Sequence, residues 1–286
     1  MSVKEFVKLL IPPLFIKLAK TLHSGTKKPF IEWEYIPNGW AYAETHSEVK
    51  GWNVQNVLDT YIRKWPKFVE IVEGTDFLGV AHESNLTTNA DLNSHNIIMS
   101  FAYAIALITH RLDSLSMLDW GGGIGFYYLL AQALLPDVRI DYHCKEVPIL
   151  AEYGEQLFPE QHFYTDESCL EHTYDFVMAS GSMHYSKDWQ ALLTGLARAT
   201  QGYLYITSLP IVLQASSFVF VQHAYAYGYN TEYLGWCLNR GQFLKCAEAA
   251  ELELVREFVI GHRPSIYRAP EQNEYRGFLF RSTSAD

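Results

Sequence analysis

The sequence predicts an α/β protein built on a doubly wound seven-stranded sheet, preceded by a helical, aromatic-rich N-terminal extension. Three observations carry this. Short apolar runs alternate with segments of helical apolar spacing from Leu115 to Phe280, the pattern of a parallel sheet with crossover helices. The stretch Leu118-Asp119-Trp120-Gly121-Gly122-Gly123-Ile124-Gly125-Phe126 stands between the first such run and the helix after it. Two further apolar runs close the chain, as a hairpin would at the edge of such a sheet.

The spacing divides the chain into a basic amphipathic segment (1–28), a helical extension or cap (29–112) and the sheet domain (113–286). Residues 1–28 hold six lysines against one acid, Glu5, and Pro12-Pro13 interrupts their apolar run. That run is too short and too broken by Lys to span a bilayer, and it lacks a signal-peptide cleavage pattern. Two readings stay open for residues 1–22: peripheral contact with an anionic membrane surface, or docking on protein, including dimerisation. From 29 to 90 the chain is rich in aromatics. Asn53 to Val72 and Asn93 to Arg111 carry helical apolar spacing. His82-Glu83 and Ser94-His95-Asn96 are the polar groups of interest here, with surface or capping roles as the alternative.

Leu115 to Leu118 is the first strand of the sheet, Asp119 stands at its end, and Tyr127 to Leu135 is the next helix, closed by Pro136. Glycines between them let a ligand lie against bare backbone, and the helix N-terminus offers unpaired N–H groups. A dinucleotide fingerprint would need glycine where Phe126 or Tyr128 stands, and a P-loop would need Lys after Gly125. The pattern present is D-x-G-x-G-x-G: Asp119, Gly121, Gly123 and Gly125, with Gly122 inside it. It resembles the first motif of the Rossmann-like (class I) S-adenosylmethionine-dependent methyltransferases.

Arg139 to Glu146 reads as the second strand, followed by a helix from Pro148 to Leu157. An acid at its end suits two ribose hydroxyls. Asp141 is favoured slightly by its distance from Asp119, and Glu146 by its place at the carboxyl edge; Glu146 is chosen. His162 to Thr165 is the third strand, and Asp166 beyond it is an adenine partner or an N-cap. Asp175 to Ala179 is the fourth, running into Ser180-Gly181-Ser182-Met183-His184-Tyr185 and a helix from Asp188 to Ala199. Ser180 joins the cofactor set, while His184 and Tyr185 are the candidate general base and acceptor-orienting group. Tyr203 to Thr207 is the fifth strand, Arg240 to Ala250 a helix, Leu252 to Ile260 the sixth strand and Tyr275 to Phe280 the seventh. The long connection Pro210 to Asn239 reads as a lid or binding wall. His262 and Arg263 add potential cations near the same edge, with solvated surface charge the preferred reading of Arg263.

At 286 residues, 49% hydrophobic and 19% charged, the chain can bury a full core. A net charge of −10 argues against nucleic acid as the main partner. Cys144, Cys169, Cys237 and Cys246 show no ligand spacing, which disfavours a disulfide framework or zinc site and favours a reducing cytoplasm.

Several further stretches resemble a group of proteins assigned as methyltransferases and associated with surface-polysaccharide biosynthesis gene clusters. They are Leu9-Leu10-Ile11-Pro12-Pro13, Gly39-Trp40, Gly51-Trp52-Asn53, Leu118 to Gly125, Asp141 to Pro148, Ala179 to Ser182, and Tyr229 to Trp236. The resemblance implies a methyltransferase fold with S-adenosylmethionine as cofactor and S-adenosylhomocysteine as product, and it points to a sugar-nucleotide or glycan-precursor acceptor methylated on a hydroxyl or amine. The cysteines add the expectation of no metal and a cytoplasmic enzyme, with peripheral contact at the inner membrane surface as one of the two readings of residues 1–22. Gln often stands at the place of His184 in that group, which implies that His184 positions the acceptor. A catalytically silent methyltransferase-like binding module is the alternative from another class.

Overall fold

The computed structural model describes residues 31–75, 77–78, 91–110 and 112–283, and from Trp33 onward the chain forms one compact unit. The readings of residues 1–28 and of His82-Glu83 concern residues outside this set. In chain order the elements are β1 (Trp33–Tyr35), α1 (Gln55–Glu73), α2 (Leu92–Thr109), β2 (Ser114–Trp120), α3 (Phe126–Leu134), β3 (Arg139–Lys145) and α4 (Pro148–Leu157). Then come β4 (His162–Tyr164), β5 (Tyr174–Ser180), α5 (Trp189–Arg198), β6 (Thr200–Val212), β7 (Phe218–His223), β8 (Glu232–Asn239), α6 (Arg240–Ala249), β9 (Leu252–Val259) and β10 (Glu274–Ser282).

Seven strands run in the order β4-β3-β2-β5-β6-β10-β9. The first five are parallel, and β10 lies antiparallel to both β6 and β9. The order reverses beside β2, so this is the doubly wound sheet with a terminal antiparallel pair that the alternation of elements predicts. Central parallel strands are covered on both faces and therefore read as continuous apolar runs.

Alternate residues serve opposite faces. Leu118, Val177, Leu204 and Phe278 pack with Trp189, Leu193 and Phe243 of α5 and α6. Met117, Tyr142, Phe176, Tyr205 and Leu279 pack with Phe68, Phe101, Ile105 and Leu130 of α1, α2 and α3. The side chain of Asp91 starts α2 by accepting from the N–H groups of Asn93 and Ser94.

The region after the fifth strand differs from expectation. β6 continues to Val212 through Pro210, which stands opposite Tyr275 of β10. A proline marks the end of a strand when read from sequence, because it has no N–H to donate. Here Ile211 and Val212 go on to pair in parallel with Leu238 and Asn239 of β8. The predicted long connection is largely an antiparallel hairpin, β7 with β8, and β1 adds itself to β7.

Candidate functional site

The glycine loop joins the end of β2 to α3. Gly125 is the N-cap of α3 at φ +99°, and Gly121 has φ +76°, both in the region that favours glycine. A Cβ on Gly121 would stand 2.3 Å from Cβ of Ser182, so this loop and the one after β5 touch at bare backbone. Asp119 lies beneath the loop, fully buried, and Tyr142 Oη donates to its Oδ2 at 2.8 Å. A Cβ on Gly122 would sit 2.4 Å from that same oxygen. Burial lifts the Asp119 carboxyl to about 7. Asp119 thus lies against the underside of the loop and is tied to β3 through Tyr142.

Glu146 stands just past β3 and binds the loop from the side. Its Oε2 accepts from Gly123 N–H at 2.9 Å and its Oε1 from Val147 N–H at 2.7 Å. Burial pushes its carboxyl up, against the opposing pull of those two amides. Each oxygen keeps a lone pair for a further donor.

Beside Glu146 opens a cavity of about 280 Å³, bounded by Gly121, Lys145, Glu146, Glu167, Ser180 and Ser182, with Trp52 and Tyr61 over it. The rival acid Asp141 is exposed partway along β3 and is not among the residues that line this cavity. Asp166 does not line it either: its Oδ1 accepts from Ser168 N–H at 3.0 Å and caps the short turn Glu167–Glu171. The acid of that turn facing the cavity is Glu167, which the sequence reading passed over.

A second cavity, of about 300 Å³, meets the first at Ser180, Gly181 and Tyr185, which line both. His184 borders it and is 1% exposed, and neither ring nitrogen has a hydrogen-bond partner among the described residues. Burial pushes its imidazole down to about 3, so the ring is neutral across the working range. Ser208, at φ +53°, brings a hydroxyl that also lacks a partner to the same cavity. Tyr185 packs its ring 4.0 Å from that of His184 and donates to Gln222 Oε1 at 3.3 Å. Ser180 Oγ lies 2.7 Å from Tyr127 Oη.

The extension supplies Phe68, Asp91, Ser94 and Ile98 to this second cavity, and the hairpin supplies Tyr227. Of the flagged trio, Ser94 lines the cavity, while His95 Nδ1 lies 3.2 Å from Leu78 O and Asn96 donates to Ile260 O at 3.0 Å. His262 faces the cavity, whereas Arg263 is exposed and pairs with Glu274 at 3.1 Å.

No family model and no curated protein matches the chain. Solved structures do. A Galdieria sulphuraria protein assigned as a sarcosine dimethylglycine methyltransferase superposes with a TM-score of 0.50 at 16% identity, over 79% of this chain and 98% of its own. The fold is that of the class I methyltransferases. An S-adenosylmethionine-dependent methyltransferase from Clostridium acetobutylicum gives a TM-score of 0.45 at 11% identity, over 79% and 99% of the two chains. The N-terminal domain of EvdMO1, crystallised with S-adenosylhomocysteine, gives 0.45 at 15% identity, over 77% and 97%. In this methyltransferase fold both cavities open at the carboxyl ends of the parallel strands, where open α/β sheets bind ligands.

Proposed function

We propose that the protein is an S-adenosylmethionine-dependent methyltransferase acting on a hydroxyl or amine of a small acceptor, a sugar nucleotide or glycan precursor. The observation that carries this reading is the junction of two cavities. One is walled by a glycine loop and a buried-edge carboxylate, the other by hydrogen-bonding groups, Asp91 and His184 among them, and aromatic rings, and they share Ser180, Gly181 and Tyr185. The residues present fit the cofactor. Gly121 presents backbone without a side chain, Glu146 offers two oxygens to the ribose hydroxyls, and Trp52 and Tyr61 close the site against water. S-adenosylmethionine, when bound, supplies an electrophilic methyl on a sulfonium and leaves as S-adenosylhomocysteine.

The chain's own contribution is placement. A neutral His184 can accept a hydrogen bond from an acceptor hydroxyl at one nitrogen and donate at the other. Ser208 Oγ offers a second polar contact, and the rings of Phe126, Tyr185, Tyr227 and Tyr275 give the acceptor flat apolar walls. With an imidazole near 3, proton abstraction by His184 has little driving force at neutral pH. Alignment of an already nucleophilic atom with the methyl group is then the main source of rate. The sugar-nucleotide or glycan assignment rests on the resemblance of the sequence, supported by aromatic walls on which the C–H face of a sugar packs.

Calorimetric titration with S-adenosylmethionine, S-adenosylhomocysteine and NADH tests the reading. Micromolar binding of the first two, none of NADH, and a loss of at least about 1 kcal/mol in Glu146→Ala are expected. A folded protein that binds neither sulfur ligand overturns it. Sugar nucleotides and glycan precursors are then the first acceptors to assay.

A further inference from the structure

Away from both cavities, three metal-ligand side chains converge on the face of β3 that turns away from Tyr142. Asp141 and His143 are two apart on β3 and therefore share a face, and His162 stands directly across from His143 on β4. Their donor atoms all lie within 4.8 Å of one another. Asp141 Oδ1 is 3.4 Å from His143 Nε2 and 3.7 Å from His162 Nε2. The two imidazoles stack with centroids 4.5 Å apart at 27°, which sets both Nε2 atoms on the carboxylate side.

These spacings match a coordination polyhedron. A tetrahedral metal with ligands at about 2.0–2.1 Å separates them by about 3.3–3.4 Å; the two carboxylate–imidazole separations stand at 3.4 and 3.7 Å, and a turn of the exposed His162 ring would aim its Nε2 at the same point. Outer support is also in place. His143 Nδ1 lies 3.0 Å from Tyr164 Oη, the partner that fixes a ligating histidine with Nε2 free for the metal.

We propose that Asp141, His143 and His162 form a binding site for a borderline divalent transition metal of the Zn²⁺ type. Two imidazoles and one carboxylate select such an ion over Mg²⁺ or Ca²⁺, which take oxygen ligands. Three protein ligands leave the fourth position to water. The cysteines, from which the sequence argued against a zinc site, take no part: the site is made by the register of β3 with β4. It would tie a three-residue edge strand to its neighbour. β3 leads directly to Glu146 and β4 to Glu167, both walls of the first cavity, so occupancy would stiffen that end of it. None of this depends on the methyl-transfer reading.

The test is titration of the full chain with Zn²⁺ by calorimetry and with Co²⁺ by absorption, alongside Mg²⁺. One saturable equivalent of Zn²⁺, tetrahedral Co²⁺ bands and no comparable Mg²⁺ uptake are expected. His162→Ala and Asp141→Asn each change a half-exposed side chain, so both should fold as the parent does by circular dichroism. Each should weaken Zn²⁺ binding at least about tenfold. No saturable uptake, equal affinity for Mg²⁺, or undiminished binding in both variants would overturn the assignment.

Discussion

The two cavities that meet at Ser180 and Tyr185 are assembled by opposite means. Most of the first is made by strand ends and the loops that follow them: β2 with its glycines, β3 with Glu146, β5 with Ser180 and Ser182. Its carboxylates are tied to neighbouring groups, Glu146 to Gly123 and Asp119 to Tyr142, while Asp119 Oδ1 and Trp52 Nε1 are buried with no partner among the described residues. The second gathers residues from Phe68 to Tyr275, and it carries buried polar atoms that lack a partner, on His184 and Ser208. Buried polar groups are normally satisfied. The first site is shaped by adjacent backbone and the acids that hold it, whereas the second gathers side chains from distant parts of the chain, and its open positions on His184 and Ser208 are specified by what completes them.

This contrast can be broken by experiment. The largest effect is expected at Asp119. Its folded value of about 7 lies well above the ordinary aspartate value of about 3.9. Between these, the folded chain holds a proton that the unfolded chain has released. Stability from this group is therefore full below about pH 4 and is lost as pH rises through 7, at about 1.4 kcal/mol per unit. Asp119→Asn cannot ionise, so denaturant unfolding at pH 4 to 8 should show the parent losing a few kcal/mol relative to the variant. Parallel pH dependences would show that the loop does not rest on a buried acid.

A smaller effect is expected at Gly121. Alanine there meets the left-handed backbone cost of about 1–2 kcal/mol and an overlap with Ser182. S-adenosylhomocysteine should bind about tenfold more weakly or worse to Gly121→Ala by calorimetry; unchanged affinity would mean that the loop does not carry the ligand.

The smallest is expected at His184. His184→Gln keeps a donor and an acceptor, so turnover should stay within about tenfold of the parent. The pH profile of kcat should show no limb near 6–7 that the substitution removes, because the parent imidazole is already neutral there. Such a limb would make His184 a base and the second cavity a preformed catalytic centre like the first.

The same division explains what could be read along the chain. Strand, glycine loop and helix from Ser114 to Leu134 are visible because their signals are adjacent: an apolar run, an acid, glycines at fixed offsets, then helical spacing. Glu146 could be preferred to Asp141 because position at a strand's carboxyl end is itself a spatial statement. The hairpin was hidden. Every residue of β7 from Phe218 to Gln222 is buried, so the two-residue alternation that reveals a half-exposed strand is absent. Its connection to β8 runs through a short turn at Ala224–Tyr227, Gly228 at φ +80° and Asn230 at φ +52°, with no two-residue hairpin signature. Three-residue β1 is held between the edge of β7 and the backbone of Tyr267, partners distant in sequence. Ser208 gave no signal at all, since its left-handed backbone is set by tertiary packing around β6.

One consequence follows from the length of β6. Its first part is bonded to β5 and β10, and its last two residues are bonded to β8. The hairpin whose turn brings Tyr227 to the second cavity is thus anchored at its base to the same strand that forms the middle of the sheet. A rigid swing of that whole hairpin would have to break the pairing of Ile211 with Leu238.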